Sequence, residues 1–89
     1  MSLRERRFKE LLEAAGCVVE DFTPIGYGVP DFFVISPSKK YAYVEIKGRH
    51  RRITKCQRRT FNSGIYGKVR IFNKKLSEHI KELLEELNS

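Results

Sequence analysis

The sequence predicts an α/β fold in which a small mixed β-sheet is flanked by helices. Short runs of aromatic and β-branched residues, typical of strands, alternate with segments whose apolar residues recur at a helical period. In chain order these segments read α-β-β-β-α-β-α. The helix between the third and fourth strands predicts a parallel, right-handed crossover. A chain of 89 residues predicts one domain, residues 1–89, with a modest core.

The first helix is predicted over residues 3–15, with Ser2 as its N-terminal cap and Gly16 as its stop signal. Glu5 lies at the edge of the apolar face, near the start of this helix. Its carboxylate therefore either interacts with the helix dipole or leans toward the sheet. The apolar face consists of Phe8, Leu11, Leu12 and Ala15.

Four strands are predicted, at residues 17–22, 32–35, 41–46 and 68–72. The turn composition of residues 36–40 joins the second and third strands into a hairpin. The loop before the second strand, residues 23–30, contains two glycines and two prolines. The glycines either make a turn or let the backbone approach a ligand.

Two further helices are predicted. The first spans about residues 55–63, with Thr54 as its cap and Gly64 after its end, and it places Gln57 on the same face as Phe61. Ser77 is predicted to cap the last helix. That helix carries an apolar stripe that contacts either the core or a dimer partner, and it consists of Leu76, Ile80, Leu83, Leu84 and Leu87.

The main functional signal is a set of charged residues at the ends of the hairpin strands. Asp31 opens the second strand, and Glu45 and Lys47 close the third. Side chains alternate along a strand, so Glu45 and Lys47 share a face, and the hairpin brings them beside Asp31. Two carboxylates and an ammonium suit a divalent cation and a phosphate. A plainer alternative is that Asp31 follows a turn while the other two make cross-strand pairs on a solvated face.

The charge distribution points to a polyanionic partner. The net charge is +7, and no acidic residue occurs between Glu45 and Glu78. Such a one-signed block is typical of a surface that contacts phosphates, although a merely basic soluble surface is the alternative. The block contains eleven of the eighteen basic residues: Lys47, Arg49, Arg51, Arg52, Lys55, Arg58, Arg59, Lys68, Arg70, Lys74 and Lys75.

Composition argues against several classes of protein. No apolar run approaches the roughly 18 residues of a membrane helix, and the basic N-terminus lacks the apolar region of a signal peptide. Cys17 and Cys56 form no CxxC or Cys/His cluster, so both are expected to be reduced thiols. We therefore expect a cytoplasmic protein, associated with the nucleoid or with viral DNA, and no membrane partner.

The order of these motifs resembles the PD-(D/E)xK nuclease superfamily. The segments Gly28-Val29-Pro30-Asp31 and Val44-Glu45-Ile46-Lys47-Gly48, followed by Gln57, are most similar to its virus-type replication-repair nuclease (VRR-NUC) branch. The Glu5-Arg6…Leu12…Gly16 pattern is also similar to archaeal Holliday junction resolvases. The resemblance covers nearly all of residues 4–72 and implies a restriction-endonuclease-like αβββαβ core, to which the C-terminal helix is an addition.

The resemblance also implies a metal site. Asp31, Glu45 and the backbone carbonyl of Ile46 would bind a divalent cation, and Glu5 would be an outer ligand or a ligand of a second cation. Oxygen ligands with open coordination positions suit Mg²⁺ or Mn²⁺ rather than zinc.

The remaining implied roles concern catalysis and DNA. Lys47 would orient the attacking water and offset charge on the scissile phosphate, and Gln57 would help to hold that water or a phosphate. Members of the family leave 5′-phosphate and 3′-hydroxyl ends. The residues that follow Lys47 are expected to contact DNA phosphates: Arg49, Arg51, Arg52, Lys55, Arg58 and Arg59. His50, which lies among them, is interpreted as a phosphate contact or a surface residue rather than a catalytic base.

The leading hypothesis is a metal-dependent, structure-selective endonuclease that acts as a homodimer on branched DNA, such as Holliday junctions or flaps, in repair or recombination. The dimer follows from size, because one chain carries one site and a junction needs two cuts. An alternative is a non-catalytic, basic DNA-binding module on the same fold. A third hypothesis, an RNA-binding protein, uses Phe33, Tyr41, Tyr43 and Tyr27 as base-stacking residues.

Overall fold

A four-stranded mixed sheet, whose strands lie side by side in chain order, forms the centre of the molecule in a computed structural model, which describes residues 2–48, 51–73 and 75–88. Its elements follow the predicted order, so the predicted fold class is confirmed. They are α1 (Leu3–Ala14), β1 (Val18–Asp21), β2 (Phe32–Ile35), β3 (Tyr41–Ile46), α2 (Lys55–Asn62), β4 (Val69–Phe72) and α3 (Leu76–Leu87).

Pairing in the sheet confirms the predicted hairpin and the predicted parallel pairing of the two crossover strands. β2 and β3 form an antiparallel hairpin in which Phe32 lies opposite Val44. β3 and β4 pair in parallel across the α2 crossover, with Glu45 opposite Ile71. β1 adds to the other side of β2, antiparallel. β3 therefore lies between two partners, and its side chains are held in a fixed register.

One face of the sheet carries the hydrophobic core. Alternate residues of the hairpin pack against α1 and α3, so the core lies between the sheet and these two helices. Phe8 of α1 stacks near Phe32, with ring centroids 5.2 Å apart, and meets Phe72 edge-on at 5.5 Å. The central buried side chains are Phe8, Leu12, Phe32, Val34, Val44 and Leu83.

The ends of the elements differ from prediction by a residue or two, for local reasons. Cys17 is not in the first strand, because its N–H donates to the carbonyl of Leu12 and belongs to the end of α1. β1 stops at Asp21, whose Oδ1 accepts hydrogen bonds from both the N–H and the hydroxyl of Thr23. Ser2 caps α1 as predicted, accepting from the N–H of Glu5 at 3.1 Å.

The prediction that Ser77 caps the last helix is wrong. α3 already begins at Leu76, and Lys75 occupies the cap position without a side-chain hydrogen bond to the helix. Leu76 packs against the core, so burial of an apolar side chain sets the start of this helix rather than a polar cap. Cys17 is buried and Cys56 exposed, and both are free, as predicted. None of the helices in the described ranges is long and apolar enough to cross a membrane.

Candidate active site at the ends of the hairpin strands

Two hydrogen bonds, each donated by a backbone N–H, hold the two hairpin carboxylates side by side. The N–H of Ile46 donates to Oδ2 of Asp31 at 2.8 Å, and the N–H of Asp31 donates to Oε1 of Glu45 at 3.2 Å. Each carboxylate thus binds the backbone of the other strand. The structure therefore brings Asp31 and Glu45 side by side, as the hairpin predicted. Glu45 is only 2% exposed, which excludes the alternative of a solvated cross-strand pair.

Lys47 completes the charged cluster. Its Nζ lies 3.2 Å from Oε2 of Glu45, and its side chain is 11% exposed. Its backbone N–H donates to the carbonyl of Phe72 at 2.9 Å, which anchors the residue to the end of β4. The ammonium is therefore held inside the site by the sheet and by Glu45.

Gln57 joins the cluster through the first turn of α2. Its N–H donates to Oγ1 of Thr54, and its Oε1 accepts from the N–H of Thr54, which together form a capping box. Because the carbonyl oxygen is used by the cap, the amide Nε2 is directed toward Oε2 of Glu45, 2.8 Å away. Thr54 is the cap that the sequence predicts, and Gln57 lies on the predicted inner face of the helix. The reciprocal bond from Gln57 was not predicted, although the Thr-x-x-Gln pattern indicates it.

These side chains line an open cavity of about 490 Å³ between the N-terminal ends of α1 and α2. Glu5 lies on its wall, so α1 does lean this acidic residue toward the sheet end. Arg4 also lines the cavity and was not singled out from sequence, because a basic residue in a first helical turn carries no specific signal. The lining residues include Glu5, Asp31, Glu45, Lys47, Arg51 and Gln57.

Burial makes both carboxyl groups reluctant to ionise, and charge repulsion adds to this effect at Asp31. The pKa of Asp31 is raised from 3.8 to about 7, chiefly by burial and further by the negative charges of Glu45 and Glu5. Burial also raises the pKa of Glu45, against the opposing effects of Lys47 and Gln57. A divalent cation between Asp31 and Glu45 would offset the repulsion at Asp31 and favour the ionised form of both carboxyl groups.

The donor set fits a hard divalent cation. Asp31 and Glu45 offer carboxylate oxygens, and Ile46, whose N–H donates to Asp31, also lines the cavity. Mg²⁺ is commonly held by one or two carboxylates and otherwise by water or phosphate oxygens. Within the described ranges, no three His, Cys, Asp or Glu side chains form a ready metal cluster. The roles of Asp31, Glu45, Ile46 and Glu5 as metal ligands therefore stay predictions.

The predicted DNA-contact residues divide into groups. Arg51 lines the cavity beside Lys47, whereas Arg52, Lys55 and Arg59 are exposed around the start and outer side of α2. Arg58 borders a separate groove between α2 and β4. Arg49, His50 and Lys74 lie outside the described residues.

A comparison of the sequence with known families agrees with this site. The VRR-NUC domain matches residues 3–64, which run from α1 through α2 and contain every residue of the charged cluster. The chain belongs to the VRR-NUC family. This family is the branch of the PD-(D/E)xK superfamily that the motifs indicated, so that resemblance is confirmed. β4 and α3 lie beyond the matched segment.

Membership of the VRR-NUC family indicates a nuclease, that is, an enzyme that hydrolyses phosphodiester bonds and binds DNA. VRR-NUC nucleases typically use divalent metals, in accord with the paired carboxylates. No curated protein and no solved structure significantly matches the chain.

Proposed function

We propose that residues 1–89 form one nuclease domain that acts as a divalent-cation-dependent, structure-selective DNA endonuclease on branched DNA. The observation that carries the proposal is the convergence of Asp31, Glu45 and Lys47, with Gln57, in one cavity. A sheet end that holds the buried Glu45 and the half-buried Asp31 against an ammonium has little value for stability, since burial disfavours the charged forms.

Asp31, Glu45 and the carbonyl of Ile46 would hold Mg²⁺ or Mn²⁺, with Glu5 in an outer position. When bound, the cation supplies Lewis acidity and lowers the pKa of its water. The backbone bonds of Ile46 and Asp31 fix both carboxylates before any cation arrives, so the oxygens need little rearrangement. Product ends of the 5′-phosphate and 3′-hydroxyl type are part of this proposal.

Lys47 has the position needed for charge stabilisation. Its ammonium is restrained by Glu45 and lies in the same cavity, where it can donate to the scissile phosphate and orient the attacking water. Gln57 positions Glu45, because its amide donates to Oε2 while the capping box fixes its orientation. In this role Gln57 is a positioning residue.

The basic surface around the cavity would bind the DNA backbone. Arg51 lies in the cavity wall, and Arg52, Lys55 and Arg59 lie exposed near it. Arg49 and Arg58 complete the proposed set. If about six phosphates are neutralised, log affinity should fall with log salt with a slope of about −5.

The preference for branched DNA and the homodimer are linked parts of the proposal. One chain presents one cluster of paired carboxylates, and symmetric resolution of a Holliday junction needs two cuts, so a two-fold dimer would supply the second site. Light scattering should give a dimer mass, either alone or on a junction. A monomer that remains monomeric on DNA would contradict paired cutting and favour flaps.

One gel tests the whole proposal. Wild type and Lys47→Ala are incubated with a labelled four-way junction, a flap, single-stranded DNA and duplex, in EDTA, Mg²⁺ or Mn²⁺. Lys81→Ala, an exposed residue of α3, is the charge-matched control. Cation-dependent cutting by wild type and Lys81→Ala, but not by Lys47→Ala, supports the nuclease and its site. Binding without cutting in every lane would favour a non-catalytic DNA-binding module, and cutting by Lys47→Ala at the wild-type rate would refute the site.

A further inference from the structure

A second recess, separate from the charged cavity, lies on the face of the sheet that turns away from the core. It is an open groove of about 920 Å³ at the start of β3, bordered by the turn that follows α2. Aromatic and apolar side chains form its floor and one wall. These residues are Phe33, Tyr41, Tyr43, Ile65 and Tyr66.

The aromatic rings of the groove form a continuous cluster. Phe33 lies against Tyr43 with ring centroids 4.9 Å apart, and Tyr43 lies against Tyr66 at 5.1 Å. Phe33 also meets Tyr41 at 5.5 Å. Tyr41 is 65% exposed and Ile65 77%, so the cluster presents apolar surface to solvent. Contiguous exposed apolar surface of this kind typically marks a binding site.

The groove and the charged cavity share one strand face. Tyr41, Tyr43 and Glu45 alternate along β3, so their side chains leave the sheet on the same side. At about 3.3 Å per residue, Tyr43 lies about 7 Å and Tyr41 about 13 Å along the strand from Glu45. A ligand in the groove would therefore lie a short distance from the proposed site of cutting.

The positive charge around the groove favours a polyanionic ligand. Lys39, Lys40 and Lys68 lie on the rim, and Arg70 is there paired with Glu86. A second copy of this chain would bring the same positive rim to the contact, which opposes self-association through this face. A polyanion with flat apolar groups satisfies both the cations and the rings. Single-stranded nucleic acid has this chemistry.

We propose that the aromatic groove binds unpaired nucleotides of single-stranded DNA, with a base stacked on Tyr41 and phosphates beside Lys39 and Lys68. The inference extends the proposed function, because it assigns this surface to the unpaired strand of a branched substrate. The surface would favour flaps and opened junctions over continuous duplex, since only unpaired bases expose their faces for stacking.

Binding measured in EDTA tests the groove without any cutting. Fluorescence anisotropy compares a labelled oligo(dT) 12-mer, the matching abasic 12-mer, oligo(U) and a duplex, at fixed salt. Wild type should bind oligo(dT) at least 5-fold more tightly than the abasic strand, which is the lower end for one base–aromatic stack. Equal affinity for the two would overturn the proposal, whether or not the protein cuts DNA. Tighter binding of oligo(U) than of oligo(dT) would overturn the assignment to DNA.

Variants of the exposed Tyr41 distinguish base stacking on the ring from contact with any apolar side chain of similar volume. Tyr41→Phe keeps the ring, Tyr41→Leu keeps apolar volume without it, and Tyr41→Ala removes both. The Leu and Ala variants should lose 5-fold or more in oligo(dT) affinity, whereas the Phe variant and all duplex affinities should stay within 2-fold. Equal losses on duplex and single strand would overturn base stacking. Conversion of a wild-type dimer to a monomer by Tyr41→Ala would instead identify the groove as an interface between copies.

A charge variant gives an independent reading if the ring variants disturb folding. Lys68→Ala should weaken oligo(dT) binding and make its salt dependence shallower, while Lys81→Ala on α3 should change neither. Identical behaviour of these two variants would count against phosphates at the groove rim.

Discussion

The two faces of β3 carry opposite kinds of residue. On one face, Ala42, Val44 and Ile46 are buried against α1 and α3 in the hydrophobic core. On the other, Tyr41, Tyr43 and Glu45 lead from an exposed aromatic groove to a buried carboxylate. The period of two along a strand thus separates residues that stabilise the fold from residues that fit a chemical role.

Burial on the two faces of β3 also has opposite effects on the stability of the fold. Burial of Val44 removes apolar surface from water and stabilises the fold, whereas burial of Glu45 and Asp31 raises the pKa of both carboxyl groups. The carboxylates are therefore held in place by the hairpin at a cost in stability. Neighbouring positions of one strand should accordingly respond to substitution in different ways.

The largest expected effect is on activity, at Glu45. Glu45→Ala should lower the single-turnover rate of Mg²⁺-dependent cleavage by about 10²–10³-fold or more, because a proposed cation ligand and the anchor of Lys47 are both lost. DNA affinity in EDTA should be equal or greater, since a negative charge is removed. Cleavage within 3-fold of wild type would show that the charged face is not the site.

The adjacent residue should show the reverse behaviour. Val44→Ala is expected to lower the free energy of unfolding by about 2 kcal/mol, through lost burial and a residual cavity. Its cleavage rate, measured well below the melting temperature, should stay within a few-fold of wild type. Urea denaturation measures the free energy of unfolding, and the cleavage assay measures the rate. A selective loss of activity in this variant would break the division between the faces.

Asp31 gives a smaller effect with a definite pH dependence. Its pKa of about 7 in the folded chain exceeds the value near 3.9 of an unfolded chain, so the stability it contributes is full below about pH 4 and is lost as pH rises through 7. Asp31→Asn keeps an acceptor for Ile46 without the charge. Its melting temperature should equal that of wild type near pH 4 and exceed it by at least about 4 °C at pH 8.

Thermal melts of the two proteins at a series of pH values in EDTA measure this gap. A gap that is absent at pH 8, or that is the same at every pH, would contradict a buried Asp31 with a raised pKa.

The smallest expected effect is on the free energy of unfolding, at the start of α3, a helix that packs on the core face of the sheet. Lys75 occupies the cap position without a side-chain hydrogen bond and places a positive charge at the helix N-terminus. Lys75→Ser should raise the free energy of unfolding by about 0.5–1 kcal/mol and leave cleavage unchanged. Lys81→Ser, inside the same helix, is the control and should not stabilise. Equal effects of the two substitutions would rule out capping.

Much of the fold and part of the site could be predicted from local pattern. Two apolar runs and a short turn predict the hairpin and place Asp31 beside Glu45, where hydrogen bonds to the backbone of the opposite strand hold both side chains. The start of α3 could not be predicted in this way, because Leu76 is drawn into the helix by packing on distant residues. Likewise, the aromatic groove depends on Tyr66 reaching Tyr43 across the crossover, which no local pattern specifies.

The most direct test of the central claim is to locate a bound cation on the chain. Substoichiometric Mn²⁺ added to ¹⁵N-labelled protein broadens the amide signals of residues nearest to it, and 89 residues suit this measurement well. We expect selective loss of the Asp31 and Ile46 signals, reversal by EDTA, and no such loss in Asp31→Asn. Broadening centred elsewhere, or unchanged in Asp31→Asn, would contradict a divalent-cation site at the ends of the hairpin strands.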